Sequence, residues 1–264
     1  MPRPSASAQS KSKFNWGLAG RVVVWSGLCA GLAFGGIEVH SFLLGDPRFA
    51  LRCDSPAACA GIEIHGAAHS SLNRILAAFA GDARKSVFEI PLAERRRHLL
   101  AVDWVREASV MRVWPDRIRI DIVERVPVAF ASLPIGGSAR HWLALIDDQG
   151  VLLTLPPHTR FPLPVLSGIS EDQSEAERQK RVEAMQHLLF DLGQRSKEIS
   201  EINAATVEDM RVVTTIGGRA VELWLGDQHY LSRYTNFLNH YPEMQLDSHA
   251  AVFDLRLDDR VLVR

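Results

Sequence analysis

Cysteine is scarce in this chain: three residues in 264, at positions 29, 53 and 59. With two of them close together and no histidine at metal-finger spacing, a structural zinc site is disfavoured. Cys53 and Cys59 bracket Asp54 to Ala58, which contains a Ser-Pro turn. A disulfide closing that short loop suits an oxidising compartment, with stabilisation at the low end of the usual range. An excess of basic charge is also missing. Net charge is −1 and the sequence pI is near 6.8, so the electrostatic footprint of nucleic-acid binding is absent. No Gly-x-Ser-x-Gly elbow, phosphate loop, Rossmann glycine fingerprint or His-Glu-x-x-His occurs. His65 and His69 lie four apart but span a turn at Gly66. Neighbours in an extended strand point to opposite faces, which removes Asp147 with Asp148 as a catalytic pair, and Asp258 with Asp259 reads as a turn. No internal repeat is visible. These absences point away from an enzyme and imply no metal, no cofactor and no small-molecule substrate.

What charge there is has a direction. Arg3, Lys11, Lys13 and Arg21 are the only charged side chains before Glu38, so residues 1–37 carry +4 and the remainder −5 of the chain total of −1. Val22 to Ile37 is an uncharged run of 16 residues, about 24 Å as a helix, and reaches membrane thickness if Arg21 snorkels and the helix continues through Val39 to Leu44. Residues 1–15 read as a disordered cytoplasmic tail and 16–44 as a transmembrane anchor, with the bulk of the chain outside. The competing reading is a cleaved signal peptide, for which Ala33 and Gly35 are small enough. Gly27, Gly31 and Gly35 fall four apart on one stripe, where another helix could approach closely; coincidental composition explains the stripe equally well.

Past the anchor, alternation dominates. Ala101 to Ala129 reads as a β-hairpin. Ala108, Val110 and Arg112 share one face of the first run, opposite Ser109, Met111 and Val113. Ile118, Ile120 and Ile122 alternate with Arg117, Arg119 and Asp121 in the second. Pro115 and Asp116 make the reversal, and Pro127 ends the pairing. Upstream, Ile62 to Gly66 is a short strand. Ser70 or Ser71 caps a helix with Leu72, Ile75, Leu76 and Phe79 on one side, and Pro91 opens a second helix containing Leu92, Leu99 and Leu100. Its run Glu94-Arg95-Arg96-Arg97-His98 reads as a solvated face, with an acidic partner surface as the minority reading.

This β-α-α-β-β order, followed by Glu124-Arg125-Val126-Pro127-Val128-Ala129, resembles the POTRA module of the FtsQ/DivIB family of bacterial cell-division proteins. Leu145 to Leu152, Leu163 to Gly168 and Phe253 to Arg256 are similar to the family's later strand and turn segments, in the family's order. The implied architecture is α+β: a single N-terminal transmembrane helix, a POTRA domain over 49–128, and a mainly antiparallel β domain with flanking helices over 129–264. Within the latter, Pro156 to Pro164 breaks regular structure. Ser174 to Leu192 is a helix burying Val182, Met185, Leu188, Leu189 and Leu192, and Gly193 stops it. Gly217-Gly218 joins strands Met210 to Ile216 and Arg219 to Leu225. A helix from about Gln228 to Tyr241 carries Leu231, Tyr234 and Leu238, and Ala251 to Val263 runs extended.

The resemblance implies a divisome scaffold in the cell inner membrane, enriched at the septum, that binds FtsB-like and FtsL-like single-pass proteins. By position, Phe253, Arg256, Leu257, Val261 and Val263 match the family's partner-binding terminal strand, where a partner would join by strand addition. Leu257 departs from the family pattern, in which an aromatic is frequent. Two other readings remain: a POTRA-containing protein of outer-membrane assembly, and a periplasmic hydrolase with an unfamiliar site.

Overall fold

A computed structural model describes residues 16–53, 59–136, 140–243, 252–257 and 262–263. The expected tail over 1–15, the Ser-Pro turn within 54–58, Gly137, Asp258 with Asp259, and Val261 lie outside the described residues. After the long helix α1 (Trp16–Gly45), the elements run β1 (Ile62–His65), α2 (Leu72–Ala77), α3 (Leu92–Leu100), β2 (Val105–Val113) and β3 (Arg117–Glu124). These three strands form a sheet in the order β1-β3-β2. The β-α-α-β-β sequence expected from hydrophobic patterning is therefore the observed one. Central β3 alternates as its sequence does, with Ile118, Ile120 and Ile122 buried. The chain divides into two compact units, one of residues 1–63, 79–92 and 111–119, the other of residues 64–78, 93–110 and 120–264.

In the first unit, α1 contains a stretch, Val24–Gly45, long and apolar enough to cross a membrane. Its end is fastened: the Ser86 hydroxyl donates to the Leu43 carbonyl at 2.7 Å. The Asp46 carboxylate accepts from the Arg48 backbone and guanidinium, which holds its pKa down at about 2. Phe49, Leu51, Val87 and Ile90 are buried, and Arg112 ties down the carbonyls of Val87 and Ile90 at 2.6 and 2.9 Å.

The second unit continues from β3 into β4 (Pro127–Pro134), so the expected boundary at 128/129 falls inside a strand. There follow β5 (His141–Asp147), β6 (Leu152–Leu153), β7 (Val165–Ser167), α4 (Glu175–Leu192), β8 (Ile199–Asn203), β9 (Met210–Ile216), β10 (Arg219–Gly226), α5 (Tyr230–His240), β11 (Val252–Asp254) and β12 (Leu262–Val263). One sheet takes all nine strands, in the order β12-β11-β10-β9-β8-β7-β4-β5-β6. Five of its eight ladders are antiparallel. Gly217 and Gly218, both at positive φ, make the β9-β10 turn as their sequence requires. Ser174 and Glu177 form a reciprocal capping box that starts α4, whose Val182, Met185, Leu188 and Leu192 are buried against the sheet's core.

Four expectations need correction. Leu72 is 53% exposed, because α2 is only six residues long and buries Ile75 alone. On α5 the buried face is Tyr230, Arg233, Tyr234 and Phe237, so Leu231 faces water: aromatic and guanidinium side chains, the latter bonded to the Leu225 carbonyl, occupy the core instead. β8 had no expected counterpart; its alternation is interrupted by Ser200 and Glu201. The C-terminal run is two short strands and not one continuous strand.

The Glu-Arg pair after β3 has a physical role. Glu124 accepts from the backbone N–H groups of Ala68, His69 and Ser70 at 2.9, 2.8 and 2.6 Å. Burial raises the pKa of this carboxyl, but the hydrogen bonds from Ser70 and His69 outweigh it, so the net shift is downward. Arg125 Nη1 donates to the fully buried Asp147 at 2.7 Å, and its backbone N–H donates to the Trp104 carbonyl at 2.9 Å. Asp147 Oδ1 accepts from the backbones of Gln149 and Val151, so the Asp-Asp-Gln-Gly turn is structural.

Two outcomes follow from this pair. Arg125→Ala should cost about 3–5 kcal/mol in denaturant unfolding, because it strands a buried carboxylate. The Glu124 carboxyl has a folded pKa below its unfolded value, so its contribution is present above that value and lost as pH falls through the folded pKa. Glu124→Gln should therefore be less stable than wild type at neutral pH, with the difference closing below about pH 4; a gap that persists in acid would count against the charge.

Candidate interaction surface

The end of the large sheet is built from β10, β11 and β12. β11 runs parallel to β10, pairing Glu222 with Val252, Leu223 with Phe253 and Trp224 with Asp254. β12 folds back antiparallel, pairing Phe253 with Val263 and Asp254 with Leu262. β12 is last in the strand order, so one of its edges has no strand beside it among the described residues. Such an edge offers backbone N–H and C=O groups to an incoming strand.

Beside it lies a charged platform on an indole. Alternation along β10 turns Val221, Leu223 and Leu225 inward and Trp224 outward. Its cross-strand partner Arg211 lays a guanidinium 3.8 Å from the Trp224 ring centroid, and Arg256 lies 5.0 Å from the same ring. Two cations near one ring repel each other, and two carboxylates offset that. Asp254 takes Arg256 in a two-point bond at 2.8 and 2.6 Å, while Asp209 accepts from Arg211 at 2.8 Å and Arg256 at 3.4 Å. The Asp254 hydrogen bond raises the Arg256 pKa still further. The guanidinium planes are thus held in fixed orientation beside the edge strand.

The structure separates the residues expected to act together here. Phe253 is fully buried, with its ring 5.0 Å from Phe237 and 5.9 Å from Tyr241. Its side chain anchors β11 and is not an outward contact, so Phe253 could serve a partner only through the strand it holds in place. Arg256 is on the platform, Leu257 is 57% exposed, and Leu262, paired with Asp254, is exposed on β12. Val263 belongs to β12, and Val261 lies outside the described residues. Trp224, Arg211 and Asp209 were not singled out from the sequence. The signal was present in Trp224, an indole at an outward position of an alternating strand.

Elsewhere, Gly27, Gly31 and Gly35 lie on an open face of α1, where an added Cβ would meet nothing within 4 Å. Cys53 and Cys59 have paired sulfurs and Cα atoms 4.0 Å apart. Of the basic run on α3, Arg95 meets Glu94 at 3.3 Å and Arg96 donates to the Ala108 carbonyl at 2.7 Å, so it is only partly a free solvated face. His69 stacks on Trp104 at 4.9 Å and touches Glu124 at 3.1 Å, well apart in role from any metal pairing with His65.

The sequence model described as POTRA domain, FtsQ-type, matches residues 59–125. A Cell division protein FtsQ of Koribacter versatilis is 33% identical, over 99% of this chain and 72% of its own length. The protein of that name from a Geobacter species is 24% identical over 97% of this chain and 92% of its own. That of Actinobacillus pleuropneumoniae is 27% identical over 67% and 71%. With the β-α-α-β-β module, the apolar anchor helix and similarity along nearly the whole length, the chain belongs to the FtsQ family of cell division proteins.

Proposed function

We propose that the protein is a single-pass scaffold of the division machinery, acting by binding and without catalysis or cofactor. Residues 1–15 form its cytoplasmic tail, 16–44 its inner-membrane anchor, 49–128 its POTRA domain and 129–264 its β domain. The last two face the periplasm and are concentrated at the septum. The +4 charge of residues 1–37 supports that orientation. A disulfide between Cys53 and Cys59 suits the same compartment. The open Gly27, Gly31 and Gly35 stripe would let a partner helix approach.

The observation that carries the binding mode is the terminal position of β12 in the sheet. FtsB-like and FtsL-like single-pass proteins are the proposed partners, with one adding a strand at β12. Backbone pairing would supply affinity, and Leu257, Leu262 and the Arg256–Trp224 platform would discriminate among partners.

Along an antiparallel pair, successive N–H groups point alternately toward and away from the partner strand. One of Leu262→Pro and Val263→Pro should therefore weaken partner co-purification about tenfold, equivalent to about 1.4 kcal/mol, with the sheet intact. Undiminished binding by a folded protein ending at Leu257 would defeat strand addition. Topology has its own check: protease added to spheroplasts should digest the body and spare the tail, and a mature protein beginning near Gly36 would mean that the anchor is a cleaved signal.

A further inference from the structure

Four aromatic rings of the first compact unit meet where α1 ends. Phe42, in the last turn of the helix, lies edge-on to Phe49 at 5.8 Å. Phe49 meets Phe88 at 5.5 Å and Trp114 at 5.7 Å, and Phe88 meets Trp114 at 5.1 Å. Phe49 is buried, yet Trp114, at the tip of the β2-β3 hairpin, is 62% exposed and Phe42 is 49% exposed. Phe42, Phe49 and Pro115 also line a cleft of about 390 Å³ whose polar wall is Arg48, Arg52 and Asp116.

The depth of this cleft follows from α1. Val24–Gly45 is about 33 Å long as a helix, close to the hydrocarbon thickness of about 30 Å. Phe42 falls inside that span, near its end, where hydrocarbon gives way to headgroups. No slack linker intervenes between helix and hairpin. The buried Ser86 hydroxyl holds the Leu43 carbonyl, the Val87 N–H donates to the Phe49 carbonyl at 2.8 Å, and the Leu51 N–H donates to the Lys85 carbonyl at 2.8 Å. Trp114 is therefore held one ring away from the span, through Phe49, which touches both it and Phe42. An amphipathic indole at that depth is at home in the membrane interface, whereas in bulk water it would expose a large apolar surface. The Arg48 guanidinium sits 5.6 Å from the Phe42 ring centroid and is bonded to Asp46, and Arg52 is paired with Asp116. Both arginines remain largely exposed, and a guanidinium has five N–H donors, enough to hold a carboxylate and a phosphate together.

We propose that this cleft is a phospholipid site. Arg48 and Arg52 take the headgroup phosphate, and the upper part of an acyl chain lies against Phe42, Phe49 and Trp114, so that the hairpin tip rests in the leaflet on the body's side. The proposal rests on the reading of α1 as a membrane span. The occupant is lipid because the cleft begins on a side chain of the span itself.

The full-length protein, reconstituted in vesicles of phosphatidylethanolamine and phosphatidylglycerol, tests this by tryptophan fluorescence with lipids brominated in the upper part of their chains. The difference between wild type and Trp114→Phe isolates Trp114, and the difference from Trp25→Phe isolates a ring on α1. The expected result is loss of Trp114 emission in brominated lipid, comparable to that of Trp25, with shielding from aqueous iodide. Joint replacement of Arg48 and Arg52 by Gln should relieve the quenching of Trp114 and leave that of Trp25 unchanged. Trp114 emission that is indifferent to bromine and quenched by iodide, while Trp25 is quenched by bromine, overturns the lipid site and leaves the span standing. Unquenched Trp25 removes the span and with it both readings. Undiminished quenching of Trp114 in the double Gln variant overturns the headgroup assignment.

Discussion

The ion pair between Arg125 and Asp147 is the joint on which the large unit depends. Asp147 is fully buried, so its charge has to be met inside the protein, and it is met on both oxygens. Arg125 leaves β3 with its backbone bonded to Trp104, and Trp104 in turn donates its indole N–H to the Thr154 carbonyl at 2.9 Å. Asp147 shapes the turn through Gly150, whose carbonyl accepts from the buried Arg178 at 2.8 Å. Gly150 sits at positive φ, and a Cβ there would lie 2.6 Å from backbone atoms of Glu175 and Gln179, which is why α4 can start so close to the turn. One buried charge thereby fixes a strand end, a turn and a helix start. Arg106 and Asp148, 3.4 Å apart and both exposed, lie nearby and contribute little by comparison.

The C-terminal end of the sheet follows a different logic. Two residues of β11 and the one after it do the anchoring, because Phe253 and Leu255 are buried and Asp254 is held by Arg256. The strand beyond it is only two residues long. A short edge flanked by charged groups is one way in which sheets avoid uncontrolled pairing with other chains. The same geometry leaves a small, defined template, which suits selective pairing better than indiscriminate pairing. The platform of Trp224 between Arg211 and Arg256 gives that edge a rigid boundary, since planar guanidinium groups bonded to carboxylates lose little further freedom on contact.

At the other end of the chain, rigidity is again the common theme. The junction after α1 is closed by a capping aspartate, a buried serine bonded to a helix carbonyl and an edge-to-face aromatic group. The serine satisfies a carbonyl that the helix end would otherwise leave open, the aspartate caps the 3-10 turn at Pro47–Phe49, and the rings pack against both. A helix joined in this way transmits its orientation to the hairpin tip, which a flexible linker would not do.

Much of this was readable from residues. The period-2 alternation of Ile118, Ile120 and Ile122, the Gly217-Gly218 turn and the helix from Ser174 to Leu192 are local signals, because each depends on neighbours a few residues away. The uncharged run from Val22 marked the long apolar helix by composition alone. What the sequence could not determine depends on contacts between distant residues. Glu124 and Arg125 are two polar letters in a motif until the loop at 68–70 and Asp147 come to meet them. Leu72 and Leu231 have core chemistry, but the length of α2 and the aromatic face of α5 leave them in water. Phe253 and Arg256 stand three apart on the chain, yet one is buried in the core and the other, past the end of β11, lies on a surface indole, because tertiary packing decides what each meets. Burial and pairing are sums over the whole fold, so only the tertiary structure decided them.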